Sequence, residues 1–240
     1  MDLRSFFLGG FLLQAIALVH FFQRRPETFW FWVIIFLGPL GAGVYLAVEV
    51  VPDLGLLRHA FDAVGRRKRI RYLEGLVQQN PASGNFEELA DLYLENGQYE
   101  RARACYDRAI SARTDHPDPF YRRGIASIHL GDFEAAVRDL ERVTAREPKY
   151  DSWRALALLA HACGQLLQDE RAEALFQQAT EFSTASETYY NYAVFLKARG
   201  RLPESREWAQ RIVAKKPTMP RYLRRLERPW FSKASALLKS

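Results

Sequence analysis

Five histidines and two cysteines are the side chains of this 240-residue sequence whose types suit acid–base, nucleophilic or metal chemistry. Their spacing supports little of it. Cys105 and Cys163 stand alone with no CxxC pair, so neither a metal site nor a disulfide framework is indicated, and as small apolar residues they suit core packing. His129 and His161 lie 32 residues apart, close to the repeat length found below, and as a pair they suit a metal ion or an acid–base couple. No acidic third ligand stands at a fixed spacing from them, so surface or partner-contacting histidines are the simpler reading. There is no GxxxxGK[ST] phosphate loop, no HExxH, no GxSxG elbow and no kinase set. The chain therefore reads as non-catalytic, with no cofactor, metal or small-molecule substrate expected.

Two apolar runs come first among the elements that would hold any site: SFFLGGFLLQAIALVHFF, from Ser5 to Phe22, and FWFWVIIFLGPLGAGVYL, residues 29 to 46. No formal charge falls between Ser5 and Gln23 and only Glu49 between Thr28 and Val51, in a chain that is 26% charged. At about 1.5 Å per residue each run matches the ~30 Å hydrocarbon layer. Core helices of a soluble domain would show a polar face, and neither run has one. A cleaved leader, hinted at by Ala15-Ile16-Ala17, would not continue past that point into a second run. The expectation is a two-span transmembrane hairpin over residues 1–51, kinked at Gly38-Pro39. Gly38, Gly41 and Gly43 leave room for Gly9 and Gly10, and Trp30 and Trp32 sit at the outer interface. Whether the hairpin pairs with another copy is left open. Arg24 and Arg25 in the turn face Arg4, Arg58, Arg66, Arg67, Lys68, Arg69 and Arg71 on the other side. That imbalance places the N-terminus and the rest of the chain in the cytoplasm, at a bacterial-type inner membrane.

Past Pro52 the pattern changes to amphipathic helices with an internal repeat. LYLENGQYERARACYDRAI and IHLGDFEAAVRDLERV align with Gly97 over Gly131, 34 residues apart. Unit one carries Phe86, Leu89, Ala90, Tyr93, Gly97, Tyr99, Ala102, Tyr106 and Ala109. Unit two carries Phe120, Gly124, Gly131, Phe133, Ala136, Leu140, Val143 and Pro148. Unit three keeps Leu156, Leu159, Ala160, Ala172, Phe176 and Ala179, with Leu167 in place of the glycine. Unit four has Tyr189, Ala193, Gly200, Leu202, Ile212 and Pro217, with Ser205 and Ala209 at two repeat positions. This pattern resembles the tetratricopeptide repeat over residues 83–217. The small residues let two antiparallel helices approach, the large ones fill between them, and the glycine turns the chain. Residues 52–82 are a basic juxtamembrane segment and a capping half-repeat, with Leu73, Leu76 and Pro81. Residues 218–240 are a basic capping helix and tail, Tyr222, Leu223 and Leu226 covering the last repeat.

The second apolar run, with its aromatic start, proline–glycine kink and tyrosine, resembles the N-terminal membrane hairpin of cardiolipin synthases and other phospholipase D-type proteins. That family's chemistry requires a histidine followed two residues on by a lysine. None of His20, His59, His116, His129 and His161 has one, so the synthase activity is not implied for this chain.

What remains is surface. The first helices of the units line a groove suited to an extended peptide or a helix of a protein partner. The register puts Glu87, Asp91 and Glu95 at its start, then Tyr121, Ile125, Ile128 and His129, then Arg154 and His161, and finally Tyr190, Val194 and Lys197. The apolar members of that set would otherwise pack against neighbouring repeats. Only Asn191 matches the lysine and asparagine set by which some family members hold chaperone tails, so that clamp is not expected. Net charge is +4 over residues 52–71, −6 over 72–200 and +8 over 201–240. Arg66, Arg67, Lys68, Arg69 and Arg71 suit an anionic lipid face. Arg221, Arg224, Arg225, Arg228 and Lys233, around Trp230 and Phe231, suit the same membrane, RNA or plain solvent, and no nucleic-acid fold accompanies them to favour RNA. The fold class expected is all-α, a two-helix transmembrane hairpin followed by an α-α superhelical solenoid. The function expected is a membrane-anchored scaffold or adaptor for a protein partner. The alternative is an accessory or regulatory subunit of an envelope phospholipid-synthesis or other membrane enzyme complex.

Overall fold

A computed structural model describes residues 3–24, 28–50, 56–112 and 116–239. The turn holding Arg25 and the boundary at Pro52 lie outside the described residues, as do the side chains of Arg4, Arg24, Arg58 and Arg221. The chain divides into two compact units, Met1–Arg69 and Ile70–Ser240.

In the first unit α1 (Leu3–Arg24) is followed by α2 (Phe29–Phe36), α3 (Gly38–Tyr45) and a π-helical turn, Leu46–Val50. The expected second span is not one helix. Gly38 takes φ +58°, a left-handed conformation that costs glycine nothing. Pro39 beside it has no N–H to continue the helical ladder. More than a kink results: α3 folds back along α2, so that the rings of Trp30 and Tyr45 lie 5.5 Å apart. Each eight-residue helix is only about 12 Å long. No helix among the described residues is long and apolar enough to cross a membrane, and two short helices stand where the second span was expected. Its chain direction differs too, because Tyr45 returns to His20 near the carboxyl end of α1.

The small residues still serve close approach. A Cβ on Gly10 would meet Pro39 Cγ at 3.0 Å, and one on Gly41 would collide with the Val33 carbonyl. Polarity in this unit runs from inside to outside. Ala17, Ile34, Ala42 and Tyr45 are buried together. Gln14 and His20 of the first apolar run turn inward onto them: Gln14 Nε2 donates to the Ile34 carbonyl at 3.1 Å, where α2 is running out of donors, and His20 Nδ1 lies 2.8 Å from the Tyr45 hydroxyl. Meanwhile Phe11 (75%) and Leu40 (78%) are exposed, with Ile16, Val19, Trp32 and Phe36.

The helix α4 (Leu56–Gln79) leads into the second unit, where Ile70 and Leu73 are buried against Leu89, Ala90 and Tyr93. Four helix pairs follow: α5 (Ser83–Glu95) with α6 (Tyr99–Ala112), α7 (Asp118–Leu130) with α8 (Phe133–Arg146), α9 (Arg154–Gln165) with α10 (Asp169–Phe182), and α11 (Ser186–Ala198) with α12 (Leu202–Ala214). Each pair turns on a left-handed residue, Gly97, Gly131, Leu167 and Gly200 in order. The small positions are where the pairs touch. Ala102, Ala136, Ala172 and Ala209 are fully buried, a Cβ on Gly124 would meet Leu140 Cγ at 3.0 Å, and the Ser205 hydroxyl donates to the Ala193 carbonyl at 2.7 Å. The helix α9 is buried on nearly every side and forms the centre of the main core. The chain ends in α13 (Arg221–Leu226) and α14 (Arg228–Lys239).

The cap departs from expectation. Tyr222 (71%) and Leu226 (72%) are exposed, while Phe231, Ala234 and Leu237 of α14 bury against Tyr189, Ala193, Ala209 and Ile212. The spacing 231, 234, 237 makes a stripe twelve residues can support, whereas α13 is one and a half turns long and lies on nothing comparable.

Candidate protein-binding face

The first helices α5, α7, α9 and α11 are neighbours in that order, so residues at one repeat position line a continuous face. At its centre is a hydrogen-bonded ladder. The Arg154 guanidinium donates to both carboxylate oxygens of Glu187, at 2.6 and 3.2 Å, and to the Tyr121 hydroxyl at 3.0 Å, and approaches Asp151 at 3.4 Å. The Tyr121 hydroxyl in turn donates to Asp151 at 2.5 Å. Burial first, and then that bond, push the Tyr121 phenol well above its usual range. Three successive repeats are thus tied across the face.

Asp151 reaches this position because the loop between α8 and α9 carries three consecutive left-handed residues, Asp151 (φ 48°), Ser152 (φ 54°) and Trp153 (φ 70°). Such a run of non-glycine residues is strained, by roughly 1–2 kcal/mol per residue. The hydrogen bonds of Asp151 and the stacking of Trp153 on Phe182, centroids 4.5 Å apart, offset part of it. Neither Asp151 nor Glu187 was among the residues expected from the sequence. The signal for the first lay in the turn spacing, 36 residues from Gly131 to Leu167 where the others are 34 and 33; the two extra residues make the loop that carries it.

The expected groove residues sort into three kinds. Glu87, Asp91, Arg154 and His161 are half-buried, and Glu95 and His129 exposed. Asp91 accepts from the Tyr106 hydroxyl at 2.5 Å and faces Arg122 at 3.5 Å. Partial burial, with Asp91 and Asp118 nearby, raises the Glu87 carboxyl. Tyr121, by contrast, is buried, and Ile125 and Ile128 pack on the main core. They support the face rather than present themselves on it. Tyr190 and Val194 pack on the carboxyl-terminal core, Tyr190 beneath Trp230 with centroids 5.7 Å apart. Lys197 is half-buried.

The two histidines stack instead of converging on a ligand. His129 lies parallel to Tyr99 with centroids 4.1 Å apart, and His161 meets Phe133 edge-on at 6.3 Å. Burial pushes both imidazoles below their ordinary range, with Glu187 pulling upward on each. No group of three His, Cys, Asp or Glu among the described residues is placed to hold a metal ion. Burial raises both thiols, Cys105 and Cys163.

Of the residues expected at a membrane surface, Arg67, Lys68, Arg69 and Arg71 are exposed on α4 and Arg66 is half-buried. Arg224, Arg225 and Arg228 are exposed as well, Arg224 donating to the Met219 carbonyl. Trp230 is engaged by the protein itself, between Tyr190 and Lys233.

Residues 89–180 match the tetratricopeptide repeat family. Over 103 residues the chain is 30% identical to the CTR9 homolog of Arabidopsis thaliana, a stretch that takes in 41% of this chain and 9% of that protein; the chain thus spans about a tenth of that relative's length. Among solved structures it is similar to TTC0263, a thermophilic repeat protein of Thermus thermophilus, with a TM-score of 0.58 and 16% identity over 78% of this chain and 97% of that one. It is also similar to YrrB, described as having an unusual peptide-binding site, with a TM-score of 0.55 and 15% identity over 70% and 87% of the two chains. At these identities the likeness is one of fold.

Proposed function

We propose that the chain, whose residues 89–180 match the tetratricopeptide repeat family, is a non-catalytic scaffold, held at the inner face of a bacterial plasma membrane by its first unit, that binds a protein partner on the face of its first helices. The observation that carries this reading is the reversed polarity of the first unit, with Gln14 and His20 turned in and Phe11, Ile16, Trp32 and Leu40 turned out. A surface of that kind is stable in hydrocarbon and costly in water. In this reading the unit is embedded in lipid without two full spans, and the excess of Lys and Arg from 58 to 71 favours the cytoplasmic side.

The repeat face supports the other half. Its central ladder is satisfied internally, so it offers a partner a rigid ridge flanked by Glu87 and Asp91 at one end and the stacked His129 near the middle. A peptide or helix with basic residues opposite Glu87 and Asp91 and apolar ones opposite the ridge is the chemistry it fits. The test is photo-crosslinking in intact cells from Glu87, His129 and, as a control, the exposed Arg138 of α8, with fractionation of the same cells. One protein captured from Glu87 and His129 but not from Arg138, by a chain that stays in the alkali-washed membrane pellet, supports the reading. Equal capture from all three sites, or a chain found in the supernatant, overturns it.

A further inference from the structure

Many arginines of the repeat unit have carboxylate partners: Arg123 pairs with Asp139 and Asp107, Arg199 with Asp169, and Arg201 with Glu173 and Glu204. On α4 three cations stand together without one. Arg67, Lys68 and Arg71 are exposed and have no carboxylate partner among the described residues. They stand at i, i+1 and i+4, which puts them on adjoining rows of the helix, away from Ile70 and Leu73, whose stripe is buried. Like charges at i and i+4 disfavour a helix in water. No Asp or Glu lies between Asp62 and Glu74 to relieve them. Glu74 is itself occupied, accepting from the Tyr93 hydroxyl at 2.6 Å and facing Arg101 at 3.6 Å. After Arg71 the helix carries no further basic residue, so the basic charge of α4 is confined to residues 58–71.

We propose that Arg67, Lys68 and Arg71 form a binding face for anionic phospholipid headgroups. The inference rests on the membrane reading above. Apolar residues facing outward require hydrocarbon, and α4, further along the chain, exposes three cations that an anionic headgroup layer would neutralise. Arg66, half-buried, contributes little, and Trp230 of the carboxyl-terminal cluster is packed on Tyr190.

The full chain is reconstituted in phosphatidylcholine vesicles doped with trace spin-labelled phosphatidylglycerol or spin-labelled phosphatidylcholine, and the motionally restricted fraction of each label is measured. The expected result is selection of phosphatidylglycerol over phosphatidylcholine on the order of fivefold, as several interfacial cations should give. The preference falls toward one in R67Q/K68Q/R71Q and in high salt, and circular dichroism of that variant is unchanged because all three side chains are exposed. A restricted fraction equal for the two labels, or a preference that survives the triple substitution, overturns the headgroup face while leaving the unit's place in lipid intact. No restricted fraction with either label overturns the membrane reading and this proposal with it.

Discussion

Leu167 occupies the left-handed turn position that Gly97, Gly131 and Gly200 hold in the other three pairs, at φ 60° and 76% exposed. Its side chain gains nothing there and its Cβ clashes with the following carbonyl, a cost of roughly 1 kcal/mol or more. Leu167→Gly should therefore stabilise the chain by about 1 kcal/mol in urea unfolding, net of the glycine's greater freedom in the unfolded state. Gly131→Ala should cost a similar amount. Equal midpoints for wild type and Leu167→Gly would remove the strain argument.

His161 carries the pH prediction. Burial lowers its folded-state affinity for a proton, with Glu187 opposing only in part, and His129 is shifted the same way. The unfolded chain then binds more protons than the folded one below about pH 6.5, so stability is complete above that pH and is lost as the pH falls through it. Melting temperatures should drop between about pH 7.5 and 5.5 in the wild type and drop less in His129→Gln/His161→Gln. An identical slope in both would show that the imidazoles stay solvated.

At the scale of the helix, the pairs are set by what is small. Ala136 lies against its partner helix with no exposed surface, and the expected result for Ala136→Trp is loss of a cooperative melting transition, since overpacking by an indole far exceeds one methylene. Tyr222→Ser should change stability by less than about 0.5 kcal/mol, whereas Phe231→Ala should cost about 3 kcal/mol; calorimetry on the two separates α13 from α14 as the cap. The repeat was legible because its small and large residues recur at fixed offsets, and Leu167 showed only as a missing glycine. The fold-back at Gly38 was not legible. A Gly-Pro pair marks a break, but whether the chain kinks or reverses depends on what α3 packs against, here Gly10 beside Pro39 and the buried cluster of Ala17, Ile34, Ala42 and Tyr45. The central ladder was half legible, Tyr121 and Arg154 by register, while Asp151 and Glu187 depended on a loop conformation and on which acid faces a buried guanidinium.

At the scale of the whole molecule, the two units obey opposite rules about which residues face out. In the repeat unit alanine, leucine and tyrosine face inward and arginine and glutamate face water. In the amino-terminal unit Gln14 and His20 face inward and Phe11, Ile16, Trp32 and Phe36 face out. If the surroundings of that unit are hydrocarbon, outward substitutions should matter for partition and inward ones for folding. Phe11→Ser/Ile16→Ser/Val19→Ser adds three hydroxyls to the outer surface. Each needs a hydrogen bond that lipid cannot supply, so the variant should shift from the alkali-washed pellet toward the supernatant. Gln14→Leu removes the donor to the Ile34 carbonyl but leaves the outer surface apolar. It should stay in the pellet while its melting transition moves down, because a buried carbonyl has lost its partner, at about 1–3 kcal/mol. Were both variants to stay in the pellet with wild-type melting, the outward face would be covered by protein rather than lipid. Were the Gln14→Leu variant alone to leave it, the inside and outside of the unit would have been assigned the wrong way round.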